Sequence, residues 1–260
     1  MAEKSLEVKK DFESLVFSEE GRDFIGSIDT IKDVINFRFL EKIKVPSGAV
    51  PMWTLKNAER EEEVVKSFKG IIVGVQRTRA YWEKDLSEGG INQAPDCSSV
   101  DGVVGNIYGS CAKCVKSHFG ENKEAPLCAE KLLLYVLLEG SMILPCVVQV
   151  PSTSIKEYQN YLMDVLKFGK ALNMVTTEFS LVKVENKDKI AYCKIQFKKV
   201  ENLSKEQIAL VKEYTNQVVD IIKLKAYNET IEPENEMPEN EMPESLKKAI
   251  AEAKETIKEA

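Results

Sequence analysis

The order of its extended segments limits this chain more than any other feature. Lys69–Trp82 (KGIIVGVQRTRAYW) carries β-branched and aromatic residues at strand density. Two apolar runs follow, Lys131–Gly140 and Ser141–Val150, separated by Glu139-Gly140-Ser141, which reads as a tight hairpin. Ser152–Lys170 then sets Ile155, Tyr158, Tyr161, Leu162, Val165 and Leu166 at helical spacing, behind hydroxyl residues suited to an N-cap. Met174–Glu185 and Lys189–Val200 flank Asn186-Lys187-Asp188, a second hairpin signal. Five strands with one helix between the third and fourth is the order of an OB-fold, a partly open Greek-key barrel. The predicted class is therefore mainly β (α+β): a five-stranded OB-like barrel with a long insertion between strands 1 and 2 and flanking helices. Another five-stranded α+β sandwich is the alternative. Pro145, inside the third predicted strand, predicts an edge or a bulge there.

The flanks read differently. Residues 1–45 form a helical segment in which Phe12, Leu15, Val16 and Phe17, then Ile31, Val34, Ile35, Phe37, Leu40 and Ile43, recur at amphipathic spacing. Lys44–Pro51, with two prolines and a glycine, is a predicted loop. The OB-like domain spans 46–227 and closes with a helix over 204–226, opened by a Ser204/Gln207 capping box. Residues 228–243 repeat PENEM, are acidic and proline-rich, and lack the apolar content to offset ordering entropy, so a disordered linker is expected. Residues 244–260 carry a weak helical stripe, Leu246, Ile250, Ala253 and Ile257. The net charge of −6 resides in this tail, while residues 1–227 hold equal numbers of acids and bases. An anionic partner is thus neither excluded nor demanded by net charge, because local patches decide. The opening MAEKSLEVKKDFES shows no apolar leader, and no apolar run is long enough to span a bilayer. A cytoplasmic location with reduced cysteines is expected.

The insertion, residues 94–128, holds four of the six cysteines and the only histidine. Cys97, Cys111, Cys114 and Cys128 are spaced C-x13-C-x2-C-x13-C. In a reducing compartment, four thiols around a CxxC knuckle point to structural, tetrahedral Zn2+. Such an ion supplies folding free energy to a loop without a core. Disulfides or four free thiols are the alternatives. Four cysteines complete the shell, so His118 reads as a surface residue and no open position is left for hydrolytic chemistry. An iron–sulfur cluster also takes four cysteines, but nothing in the sequence points to electron transfer. Cys146 and Cys193 lie in predicted strands and are assigned no function. With one histidine, no GxGxxG and no P-loop, catalysis is not expected; a metal-dependent nuclease is the residual enzymatic alternative.

Strand alternation proposes a binding face. Arg77, Arg79 and Tyr81 share one side, followed by Trp82 and Lys84. Tyr192, Lys194, Gln196 and Lys198 share another. The insertion adds Lys113, Lys116 and Phe119, and the second hairpin adds Lys187 and Lys189. Rings that stack on bases, beside cations that follow phosphates, are what single-stranded nucleic acid needs, and in OB-folds the loops after strands 1 and 4 border the groove. Taken singly, each of these residues is as easily a core ring or a solvated lysine.

Ile43–Gly48 (IKVPSG), Arg79–Trp82 (RAYW), Ala94–Gly102 (APDCSSVDG), Gly109–Cys114 (GSCAKC), Glu139–Pro145 and Val150–Leu162 (VPSTSIKEYQNYL) together resemble a poorly characterised family encoded by phages and mobile elements. The plan of an OB barrel with an inserted zinc module is similar to the zinc-containing single-stranded DNA-binding proteins of large tailed phages, although their ligands include a histidine at other spacings. The resemblance implies a non-catalytic single-stranded DNA-binding protein of replication and recombination. It also implies an acidic tail that recruits replication or recombination proteins and competes with DNA for the groove. A zinc-stabilised protein-interaction or transcription-accessory module is the second reading.

Overall fold

The computed structural model describes residues 12–30, 40–46, 50–56, 61–83, 95–121, 124–140, 143–186, 189–219 and 222. The predicted tail elements, 228–243 and 244–260, and Lys84 and Lys187 lie outside them. The strands are β1 (Lys42–Lys44), β2 (Trp53–Lys56), β3 (Glu62–Val65), β4 (Ser67–Tyr81), β5 (Cys97–Ser99), β6 (Val104–Gly105), β7 (Gly109–Ser110), β8 (Ala129–Leu138), β9 (Cys146–Pro151), β10 (Val175–Glu185) and β11 (Ala191–Asn202). The helices are α1 (Glu19–Ser27), α2 (Ile155–Lys167) and α3 (Lys205–Tyr214), the last continuing into a π-helical turn, Thr215–Val219.

The fold is mixed α+β and mostly strand. One sheet runs in the order β1-β9-β8-β4-β10-β11, and β5 joins the far end of β4. β4 is long enough to serve three partners. Its first residues, Ser67–Gly70, pair with β10, Gly70–Ala80 pair with β8, and Arg79–Tyr81 pair with β5. A bulge between Ile72 and Gly74 adds a residue and bends the strand. It also changes the facing pattern: Ile71 and Val73 point to one core, and Val75 to the other.

Both faces of the sheet are covered, which explains why β8 is apolar from Leu132 to Leu138 rather than alternating. On one face Leu132, Leu134, Val136, Val148, Phe179 and Ile195 meet Trp53 of β2 and Tyr158, Tyr161 and Val165 of α2. On the other, Ile71, Val73, Tyr135, Leu137 and Val147 meet Phe12, Val16 and Ile25 from the N-terminal segment and Val211, Tyr214 and Val218 from the C-terminal helix. The N-terminal segment is thus packed onto the sheet.

The closed five-stranded barrel is seen only in part. The five predicted strands are present as β4, β8, β9, β10 and β11, with α2 between the third and fourth. However, β9 pairs on its outer edge with β1, in parallel, and not with β11. The edge of β11 is met by the start of α2: the Ile195 N–H donates to Ser154 Oγ at 3.1 Å. Ser154 gives no cap to α2, contrary to the expected hydroxyl cap. Its hydroxyl instead serves a strand edge that would otherwise bury an unpaired donor. Ser154→Ala should therefore cost about 1–3 kcal/mol, read as a lower urea midpoint at unchanged m. Loss of the Ser204 cap of α3 should cost about 1 kcal/mol.

Two further expectations are corrected, and one hairpin is new. Lys42–Lys44, read as the end of a helix, is a strand because Ile43 is 1% exposed in the sheet core. Pro145 precedes β9 and makes no bulge in it. The β2–β3 hairpin was not anticipated, and it places Trp53, fully buried, against Phe68 at 5.3 Å.

Candidate metal centre and nucleic-acid interface

The four cysteines of the insertion come from three separate places in the chain and meet at the end of β4. Cys97 begins β5 and lies opposite Tyr81. Cys111 and Cys114 flank a 3-10 turn, with the Cys114 N–H donating to the Cys111 carbonyl at 3.3 Å. Cys128 immediately precedes β8, and its N–H donates to the Lys116 carbonyl at 2.8 Å. The Ser117 hydroxyl bonds the carbonyls of Cys111 and Cys114 and ties the knuckle. The loop that leads there turns on Asp101, which accepts from Ser99 Oγ (2.9 Å), Val103 N–H (2.7 Å) and Val104 N–H (3.0 Å). Burial opposes its charge, yet these donors together hold its carboxyl below the ordinary range.

All four cysteines line one cavity of about 10 Å³, about the room that a single water-sized guest needs. All are free thiols. Burial pushes the Cys128 thiol up; the Arg79 guanidinium opposes this, and Cys111, Cys97 and Cys114 add to it. Burial therefore favours the neutral Cys128 thiol until a cation arrives, which reverses that balance. Among the described residues, no three Cys, His, Asp or Glu side chains already stand in ligating geometry. The sulfurs surround one space without closing on one point. A Cβ on Gly105 would stand 2.9 Å from Cys97 Sγ, so the β6–β7 hairpin approaches that sulfur only because residue 105 is glycine. His118 is not part of the cavity wall; its Nε2 donates to the Ala112 carbonyl at 2.8 Å. The module has little core of its own: Val103, Ile107, Val115, Phe119 and Leu127 are each more than half exposed.

The proposed binding residues divide into two groups. Arg77, Arg79 and Tyr81 do share a face, but each is engaged. Arg77 Nε and Arg79 Nη2 hold the two oxygens of Glu130 at 3.2 and 2.6 Å. The Arg77 stem also lies against Gly102, where an added Cβ would come within 2.6 Å of it. Tyr81 is buried, with Lys116 Nζ 3.8 Å from its ring centroid and 5.1 Å from that of Tyr108. Contact with the Tyr81 hydroxyl raises the Lys116 pKa. These side chains fasten the module to the sheet. Lys113 and Phe119 are exposed on the module, and Trp82 is half-buried at the end of β4.

Lys189, Tyr192, Lys194 and Lys198 form the second group. Lys198 lies 3.9 Å from Glu178, which pairs with Lys69 near the start of β4. Lys194 Nζ is bound to Glu157 of α2 at 3.0 Å. Lys189, exposed, takes a left-handed turn at φ 60°. From Lys69 to Arg79 the strand path is about 33 Å, and β10 runs past Ser67 before turning at this hairpin. The two expected jaws of one groove therefore sit at opposite ends of β4.

The opposite sheet face holds an opening that the sequence reading missed. A groove of about 250 Å³ is lined by Lys42, Gln76, Thr78, Ala80, Ser98–Val100, Lys131, Leu133 and Gln149, with Arg79 at its margin. Its signal was present in the positions alternating with Arg77, Arg79 and Tyr81, namely Gln76, Thr78 and Ala80. No helix of the described residues is long and apolar enough to cross a membrane. Comparison with family models, curated proteins and solved structures finds no match to this chain.

Proposed function

We propose that this chain is a non-catalytic single-stranded DNA-binding protein of a phage or mobile element, acting in the cytoplasm, with one structural Zn2+ held by Cys97, Cys111, Cys114 and Cys128. The observation that carries the reading is architectural. The strand order β9-β8-β4-β10-β11, with a helix between the third and fourth strands in sequence, is the neighbour order of an OB barrel opened between its third and fifth strands. A four-cysteine module occupies the connection between β4 and β8, the first two of these strands in sequence. Cys97, Cys111, Cys114 and Cys128, which line one cavity, would hold the ion as thiolates, the ligand type that structural zinc takes. The acidic tail, outside the described residues, is then an arm for replication or recombination proteins.

In a gel-shift assay at low salt the full chain should retard oligo-dT, and the shift should fade as salt rises, because the affinity comes largely from phosphate contacts. Absence of any shift at low salt removes the reading. The exposed apolar side chains of the module, Val103, Ile107, Val115 and Leu127, favour the second reading, a protein-docking module. Capture of a protein partner by a chain that shows no DNA affinity would establish it.

A further inference from the structure

The cavity walled by the four cysteines also takes in the side chain of Arg79, whose Nε–H is buried without a hydrogen-bond partner among the described residues. We propose that this donor belongs to the metal centre: once the four cysteines bind Zn2+ as thiolates, the Arg79 guanidinium donates to the Cys128 sulfur and tightens the hold on the ion. The inference rests on the zinc reading and adds to it a residue outside the ligand set.

The sheet register sets Arg79 between two of the ligands. Arg79 lies opposite Ser99 of β5 on one side and opposite Glu130 of β8 on the other. Cys97 and Cys128 each stand two residues before those partners, so alternation puts both on the face that carries Arg79. Diagonal neighbours of this kind in antiparallel strands are within reach of a long side chain, and all three residues line the one cavity. Glu130 fixes the guanidinium by accepting from Nη2 at 2.6 Å, which leaves Nε for another acceptor.

The chemistry of the donor selects that acceptor. A guanidinium has donors only and stays charged, and a buried donor without an acceptor is costly. A thiol sulfur is a weak acceptor; a thiolate carries a full charge. Four thiolates leave a zinc site with surplus negative charge, so a fixed cation beside it favours the thiolate form and hence the metal. Arg79 already acts on Cys128 in this sense, against burial. Lys116 lines the cavity too, but its ammonium lies over the rings of Tyr81 and Tyr108. Arg77 shares Glu130 with Arg79 and is not part of the cavity wall, which makes it the matched control.

The test is metal competition on the full chain against a chromophoric chelator. Arg79→Met, which keeps the stem and loses the donors, should bind Zn2+ about 10–100-fold more weakly than wild type, the usual effect of removing a group that supports a metal ligand. Arg77→Met should match wild type. With Co2+ in place of zinc, the thiolate-to-cobalt charge-transfer band should move to longer wavelength in Arg79→Met and stay in place in Arg77→Met, because a hydrogen bond to sulfur lowers the energy of its lone pair. A role confined to fastening the module would change occupancy and leave the band unmoved. Should Arg79→Met fail to fold, Arg79→Lys, which keeps the charge without the guanidinium fork, replaces it and should shift the band in the same direction with a smaller loss of affinity. Wild-type affinity at position 79 variants, an unmoved band, or an equal loss in Arg77→Met overturns the proposal and leaves the zinc site standing. A wild-type chain that takes up no Zn2+ overturns both.

Discussion

Wild type should purify with one zinc per chain, and Cys114→Ser and Cys128→Ser should each purify without it and with residues 97–128 open to protease. Structural zinc contributes about 10–16 kcal/mol of apparent binding energy in small metal-folded peptides. Here part of the module is already fixed by β5 pairing with β4 and by Asp101, so the loss should be confined to the insertion, with the sheet intact by circular dichroism. Cys146→Ser and Cys193→Ser should keep the ion, because neither residue lines the cavity. Acid should strip the metal: zinc requires thiolates, burial already favours the protonated Cys128, and lowering pH returns protons to all four sulfurs. Metal content by mass spectrometry against pH reads this directly. Full occupancy in Cys114→Ser would show that the knuckle does not hold the ion.

Glu130→Gln should lower stability by about 2–3 kcal/mol, as expected when a partly buried charged hydrogen-bond network loses its shared acceptor. Glu130 and Arg79 are 21% and 16% exposed, and Arg79 Nε already lacks a hydrogen-bond partner among the described residues. The loss therefore leaves a partly buried guanidinium poorly served. Arg77→Ala should cost less, since Arg77 is 48% exposed. The diagnostic comparison is between urea midpoint and oligo-dT affinity per folded molecule. A stability loss at constant affinity assigns the arginines to fastening the module, whereas an affinity loss at constant stability would return them to the binding surface.

Much of the architecture was legible because periodicity and chain order are local signals. The strands β4, β8, β9, β10 and β11 and the helix α2 follow from alternation, apolar runs and helical spacing. The convergence of four cysteines follows from one CxxC knuckle. What was not legible depends on long-range pairing. Ile43 looks like the last turn of an amphipathic helix, and only the edge of β9 makes it a strand. Ser154 looks like a cap, and only the bare edge of β11 claims its hydroxyl. Arg77, Arg79 and Tyr81 were placed on one face correctly, but alternation is blind to whether that face meets solvent or a module folded back upon it. Glu130, 51 residues beyond Arg79 in sequence, decides that question. The groove was missed for the same reason: its floor joins β1, β9, β8 and β4, and no single segment displays it.

The most direct test of the account is an oligo-dT titration of wild type beside Cys114→Ser, with zinc measured on the same samples. The cysteine module fills the connection between β4 and β8, the loop that borders the nucleic-acid groove in an OB barrel, so metal and binding should be lost together. Wild type should carry one zinc and bind in a salt-dependent manner, and the zinc-free variant should bind about tenfold or more weakly. Zinc-loaded wild type that fails to bind at low salt, or a zinc-free variant with wild-type affinity, would contradict the account.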